Sequence, residues 1–281
     1  MSTHSFGGIA FVVASAALIV AAAFPLPTAE GAPPPPPPKH RDVVINTWPF
    51  TAATDAAWSA LQSGGDALDA VVAGVSTCER DQCDGTVGFG GSPDEKGGVS
   101  LDAMIMDGTL VEAGGVVNLR HTRDAIATAR LVMDLTVHTL LAGEQADQFA
   151  SEMGMPQSSL VTNHSTALWE AWRKNDCQPN FRRQNRGPNE GLTPDPSTSC
   201  GPYHRTSASP RSASHPPPPS LTHPVSRMTT HDTIAMLVLH RGRQLASGTS
   251  TNGATHKVPG RIADSAIPGA GSYAIDGIGA W

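Results

Sequence analysis

Thr233 heads an apolar run, Thr-Ile-Ala-Met-Leu-Val-Leu, and follows His231 and Asp232. A threonine in that place is by itself an ordinary β-branched strand residue. Its chemistry changes if the Asp232–Thr233 bond is cleaved. The freed α-amino group, with a pKa of roughly 7.7–8.0, then lies beside its own hydroxyl and can act as the base that activates it. A second group of hydroxyls, Thr249, Ser250 and Thr251, stands in Gly248-Thr-Ser-Thr-Asn-Gly253, whose end glycines let a ligand or backbone approach closely. A third stretch, Gly260-Arg-Ile-Ala-Asp-Ser265, sets Arg261 three residues from Asp264. Spacing alone makes that a surface ion pair, which contributes little.

These groups need a scaffold. The stretch His231–Gly253 reads as two short apolar strands around a turn at Arg241-Gly242-Arg243, the second ending in the hydroxyls and glycines of Gly248–Gly253. Ile234, Met236 and Val238 alternate with Ala235, Leu237 and Leu239, so the first strand is expected to be buried on both faces. Upstream, Val43 to Phe50 reads as a strand ending at Pro49. Thr54 is placed to cap a short helix through Ala57, Trp58 and Leu61 that Gly64-Gly65 stops. Asp66 starts a second helix burying Leu68, Val71, Val72 and Val75. Leu101–Gly108 and Leu110–Val117 form a hairpin turning at Asp107-Gly108, with Met104 and Met106 as core filler. Helices follow through Ala125, Ile126, Ala129, Val132 and Met133, then at Glu144–Met153 and Thr166–Lys174. Mixed strands and helices of this kind make an α+β protein.

The 281 residues are 39% hydrophobic and carry a net charge of −6, enough apolar content for one core and too acidic for a nucleic-acid partner. The 24 prolines cluster in two places. Residues 1–32, with an apolar stretch from Phe6 to Phe24, read as a cleaved signal peptide rather than a membrane anchor, leaving no membrane association after its removal. Pro33–Pro38 belongs to an extended spacer over 33–42. Residues 206–232, rich in Ser, Pro and His, read as a linker that buries nothing. Asn163-His164-Ser165 is a glycosylation sequon. The four cysteines, Cys78, Cys83, Cys177 and Cys200, lack zinc-ribbon spacing; two disulfides are expected, with three connectivities open. No cofactor or metal is implied. The glycine-rich stretch Asp84-Gly-Thr-Val-Gly-Phe-Gly-Gly-Ser-Pro93 lacks the lysine of a phosphate loop and is otherwise a cluster of turns.

His-Asp-Thr-Ile at 231–234, Gly-Thr-Ser-Thr-Asn-Gly at 248–253 and Gly-Arg-Ile-Ala-Asp-Ser at 260–265, with Pro268-Gly-Ala-Gly271, together resemble the glycosylasparaginase family of N-terminal nucleophile hydrolases. The glycine-rich loop is similar too, with Thr86 where the family often has serine, as is Asn46-Thr-Trp-Pro-Phe50. The resemblance implies a four-layer αββα sandwich and an amidohydrolase that cleaves the bond between N-acetylglucosamine and asparagine. It implies self-cleavage at Asp232–Thr233 into an α part (43–205) and a β part (233–281), assembled as α/β heterodimer pairs in a lysosome. Thr233 is then the nucleophile and Thr251 its support. Arg261 holds the substrate carboxylate and Asp264 its ammonium, while Trp48 and Thr86 line the pocket. It also selects the pairs Cys78–Cys83 and Cys177–Cys200.

The resemblance runs from about Val43 to Ala280. In the family, Tyr273–Ala280 continues into a Thr-Gly-Asn-Gly-Asp segment that supplies oxyanion-hole donors, so the 281 residues by themselves are expected to be a poor hydrolase. The alternatives are an inactive secreted relative, or a plain L-asparaginase or threonine-type hydrolase.

Overall fold

The computed structural model describes residues 42–183, 191–206 and 233–281. The expected signal peptide, nearly all of the spacer and linker, and Asp232 itself lie outside the described residues. The architecture is of mixed α and β type.

Strand β1 (Val43–Asn46) leads into helices α1 (Thr51–Gln62) and α2 (Ala67–Asp81). The hairpin β2 (Leu101–Asp107) and β3 (Glu112–Leu119) follows, then α3 (Ala125–Leu135), β4 (Leu140–Ala142), α4 (Gly143–Glu152) and α5 (Asn163–Lys174). A small ribbon pairs β5 (Leu192–Thr193) with β6 (His204–Arg205). The hairpin β7 (Ile234–His240) and β8 (Gln244–Thr251) comes next, and the short strands β9 (Ala274–Ile275) and β10 (Gly279–Ala280) pair near Trp281. Six strands form the main sheet in the order β1-β7-β8-β2-β3-β4, antiparallel except where β4 joins β3.

Helix α2 shows how local sequence fixes an element. Asp66 accepts from the Asp69 N–H at 2.9 Å, and the Asp69 carboxylate accepts from the Asp66 N–H at 3.1 Å. This reciprocal cap satisfies two otherwise orphaned donors. Leu68, Val71, Val75 and Cys78 recur at helical spacing and all are buried, whereas Val72 is only half covered. The helix ends at Gln82 in the left-handed region, φ 53°, just before Cys83. At Gly74 a β-carbon would lie 2.5 Å from the Met236 sulfur and 2.8 Å from the Ala53 carbonyl, so glycine is what lets α1, α2 and β7 close together. Helix α1 begins at Thr51, earlier than a Thr54 cap predicts. Its entry turn is fixed instead by Asn46, whose amide donates to the Phe50 carbonyl (3.2 Å) and to Thr54 Oγ1 (2.5 Å).

Ala103, Ile105, Ile234, Met236, Val238 and Ala246 share one face of the sheet and one core with Leu68, Val71, Val75, Ile126, Ala129 and Val132 of the helices. The opposite face of β2 and β8 is covered by the chain from Ala263 to Asp276. Ala263 N–H donates to Asp102 (2.8 Å), Thr249 donates to the Ser265 carbonyl, Ser272 bonds Ser247 (3.0 Å) and Leu245 N–H donates to Asp276 (2.7 Å). That segment does not reach over the edge of the sheet. The alternating apolar pattern of β7 predicts burial on both faces, but Ala235, Leu237 and Leu239 are half exposed and the neighbouring Ile45 is 55% exposed.

Both disulfides form as the resemblance implied, Cys78–Cys83 with Cα atoms 5.0 Å apart and Cys177–Cys200 at 5.1 Å. Peptide mapping of unreduced protein is therefore expected to give these two linked pairs and no alkylated thiol; a mapped free thiol at any of the four would contradict the structure. Asn163 is exposed at the first turn of α5. Ser165 of the same sequon is buried and locked with Thr162 in a capping box.

Candidate active site

The end of β1 wraps the start of β7. Thr47 and Ala235 exchange two hydrogen bonds of 3.1 Å, and the Thr47 hydroxyl reaches the Thr233 carbonyl at 3.4 Å. The Trp48 indole N–H donates to that same carbonyl at 2.8 Å. Asn46 makes this possible, its carboxamide oxygen accepting the Trp48 N–H at 3.0 Å and turning the chain so that the indole faces Thr233.

Strand register brings the hydroxyls together. Ile234 pairs with Ser250, so one step further Thr233 stands opposite Thr251, and Thr251 pairs in turn with Asp102 of β2. Directly opposed residues share a face. Thr233, Thr251 and Asp102 therefore form a row across three strands, on the face away from the helices.

The glycine-rich loop is held against this row by Asn252. Its amide nitrogen donates to the carbonyls of Gly85 (3.0 Å) and Gly88 (2.9 Å), its side-chain oxygen accepts the Ser92 N–H (3.2 Å), and its own N–H donates to the Thr86 carbonyl (2.8 Å). A β-carbon on Gly91 would lie 2.0 Å from that amide nitrogen, which accounts for glycine there. Thr86 is buried, and its hydroxyl is bound to Asp84 at 2.6 Å. Thr251 accepts the Gly253 N–H at 2.9 Å, which turns the chain away from the sheet.

That turn leads to Arg261. A β-carbon on Gly253 would come within 3.1 Å of Arg261 Nη1, so the guanidinium lies beside the residue two beyond Thr251. Nη1 is buried and makes no hydrogen bond among the described residues. Asp264 is exposed and opens a short 3-10 turn, Asp264–Ala266. Between the two lies Ala263, bound to Asp102.

Two charged groups of this site carry no sequence signal. Asp102 is 3% exposed, set in β2 ahead of the apolar run Ala103–Met106. Burial raises its pKa, against the opposing pull of the Ala263 and Asn118 N–H groups and the charges of Lys257 and Arg261. Lys257 is 3% exposed and donates to the carbonyls of Ser92 and Asn252, both at 2.9 Å. Desolvation lowers its pKa to about 8 despite Asp94 and Asp102 nearby. Only a carboxylate out of step with its neighbours, Leu-Asp-Ala-Met-Ile-Met, could have flagged Asp102; nothing flagged Lys257. A cavity of about 280 Å³ lined by Asp66, His240, Arg241 and Gln244 lies at the far end of the β7–β8 hairpin and takes no part in this arrangement.

A family model described as asparaginase matches residues 38–281. The chain belongs to that family of N-terminal nucleophile hydrolases. It is 47% identical over 255 residues to the N(4)-(beta-N-acetylglucosaminyl)-L-asparaginase of Rattus norvegicus, covering 91% of this chain and 70% of the relative. The enzyme of the same name from Mus musculus is 48% identical, over 85% of this chain and 65% of its own length. A probable isoaspartyl peptidase/L-asparaginase of Arabidopsis thaliana is 43% identical over 84% of the chain and 66% of its own length. The chain thus spans about two thirds of the asparaginase relatives it matches.

Proposed function

We propose that this chain carries the nucleophile and substrate clamp of a glycosylasparaginase, hydrolysing the amide bond between N-acetylglucosamine and asparagine. One observation carries the reading. The register of β7 and β8 sets Thr233 beside Thr251 at the same end of the sheet where Gly253 makes room for Arg261. An arginine whose Nη1 is buried with no hydrogen bond among the described residues suits a ligand carboxylate, which its planar fork binds with two parallel hydrogen bonds. Asp264, three residues on and exposed, suits the α-ammonium of the same amino acid.

In this reading Asp232–Thr233 is cleaved and the new α-amino group takes the Thr233 hydroxyl proton. Oγ1 attacks the amide carbon and the C–N bond breaks. The departing glycosylamine leaves with the proton, and water hydrolyses the ester to release aspartate and restore the hydroxyl. The indole of Trp48 fixes the Thr233 backbone, and Thr251 supports the nucleophile. Thr86 supports the site indirectly, its backbone carbonyl accepting the Asn252 N–H at the end of β8.

The rest of the proposal concerns the surroundings. The apolar face of β1 and β7 is where a second sheet would pack to complete an αββα sandwich, and α/β heterodimer pairs would follow from cleavage. Two disulfides and the exposed Asn163 suit the secretory route, with the lysosome as destination.

The test is release of aspartate from a glycosylated asparagine by purified chain, with free asparagine and an isoaspartyl dipeptide assayed in parallel. The glycosylated substrate should have the highest kcat/KM, even at a low rate; preference for free asparagine would favour the plain asparaginase reading, and no turnover of any of them would refute hydrolysis and favour the inactive relative. Arg261→Lys keeps the charge and loses the fork, so KM should rise roughly ten- to hundredfold, as expected for weakening a charged hydrogen-bonded pair.

A further inference from the structure

We propose that Asp102 is the positioning residue that sets the substrate clamp, Arg261 and Asp264, at its working distance from Thr233; this rests on the function proposed above. Asp102 touches both halves of the site without facing solvent. On β2 it pairs directly with Thr251, itself the neighbour of Thr233, so its backbone is part of the sheet that carries the nucleophile. Its carboxylate leaves that sheet. Oδ2 accepts the N–H of Ala263 at 2.8 Å, and Ala263 lies between Arg261 and Asp264. Oδ1 accepts the N–H of Asn118 at 2.7 Å, where β3 takes a left-handed residue (φ 54°) against a shift in the β2 register.

A buried charge is costly unless hydrogen-bonded and paired. Here it is held by two backbone donors, with Lys257 and Arg261 as the positive charges near it. Three further hydrogen bonds tie the same segment to β8, and they involve Ser265, Ser272 and Asp276, beyond the clamp. The bond from Asp102 to Ala263 is a tie within the clamp itself. Both of its partners are almost fully buried, at 3% and 2% exposure, so water cannot substitute for either.

Two variants of the full chain test this. Asp102→Asn keeps the shape but can no longer accept from both N–H groups. Ala263→Pro removes the donor and sets the ring Cδ where the N–H pointed at Asp102, which pushes the clamp segment off the carboxylate, at a residue whose φ of −75° suits proline. Each should keep its melting cooperativity and its cleavage at Asp232–Thr233. KM for glycosylated asparagine should rise roughly ten- to hundredfold, the cost expected of a displaced positioning group, while kcat falls much less. Adding Arg261→Ala to either variant should cost little more, because the clamp is already out of place. If Asp102→Asn does not fold, Ala263→Pro decides alone. Unchanged KM in a folded variant, even with a lowered melting temperature, would mean the contact is only structural and would overturn the proposal. A wild-type chain that neither hydrolyses the substrate nor binds aspartate would instead sink the functional reading, and this inference with it.

Discussion

Thr233→Ala is expected to abolish both hydrolysis and cleavage at Asp232–Thr233 while leaving the fold intact. The side chain removed is one hydroxyl and one methyl, at a position whose backbone carbonyl is held by two hydrogen bonds. The Thr233 carbonyl accepts from Trp48 Nε1 and from Thr47, and neither contact needs the side chain. Ile234, the first residue of β7, remains fully buried behind it. Removing a catalytic nucleophile costs about 10⁴- to 10⁶-fold in rate, far more than any positioning contact. Thr233→Ser should retain part of both activities, since the attacking oxygen survives and only the β-branch that restricts it is lost. Mass spectrometry of the purified variants reads processing, and aspartate release reads turnover. A Thr233→Ala chain that processes or hydrolyses like wild type would assign the chemistry to another residue, and Thr251 would be the first to examine.

The second large effect concerns stability and pH, and its source is Glu79 on α2. The side chain is 1% exposed. Oε1 accepts from Ser250 Oγ at 2.6 Å and from the Ile126 N–H at 2.9 Å, while Oε2 is buried with no partner among the described residues. Burial raises its pKa to about 8, with Asp124 nearby pushing the same way and hydrogen bonds from Ser250, Ile126 and Ala125 opposing. The folded pKa therefore lies above the ordinary value of 4.5, so the folded state holds a proton that the unfolded chain gives up. The stabilisation is fully present below about 4.5 and is lost as pH climbs to about 8. Each pKa unit corresponds to about 1.4 kcal/mol, so several kcal/mol of unfolding free energy should disappear across that window. Glu79→Gln is neutral at every pH and should flatten the dependence, making the variant more stable than wild type at pH 8. Denaturant unfolding at pH 5 and pH 8 on both proteins gives the answer; equal slopes for the two would show that Glu79 does not hold the proton. Because Ser250 precedes Thr251 and pairs with Ile234, loss of that proton would loosen the strand ends that carry the site. Such a preference for acid suits the lysosomal setting proposed here.

Much of the fold was legible in the residues. The two hairpins, the helices and the capped start of α2 follow from periodicity, turn residues and an Asp-x-x-Asp pair, all local signals. The row of Thr233 and Thr251 was half legible, since its two strands are joined by a short turn and the register follows from counting outward from it. The helix cap expected at Thr54 went astray because the decisive hydrogen bonds come from Asn46, eight residues back and in another element.

The sequence by itself determined which elements form, where the candidate nucleophile stands, and, through family resemblance, how the cysteines pair. Tertiary structure decided the rest. It placed Asp102 under the clamp, Lys257 between two carbonyls and Glu79 beneath Ser250, and it left one face of β1 and β7 half open. The physical reason is common to all four. A buried charge is satisfied by backbone groups and partners distant in sequence, and a strand face is covered or bare according to where a remote segment crosses it. Neither leaves a periodicity, a spacing or a composition to read.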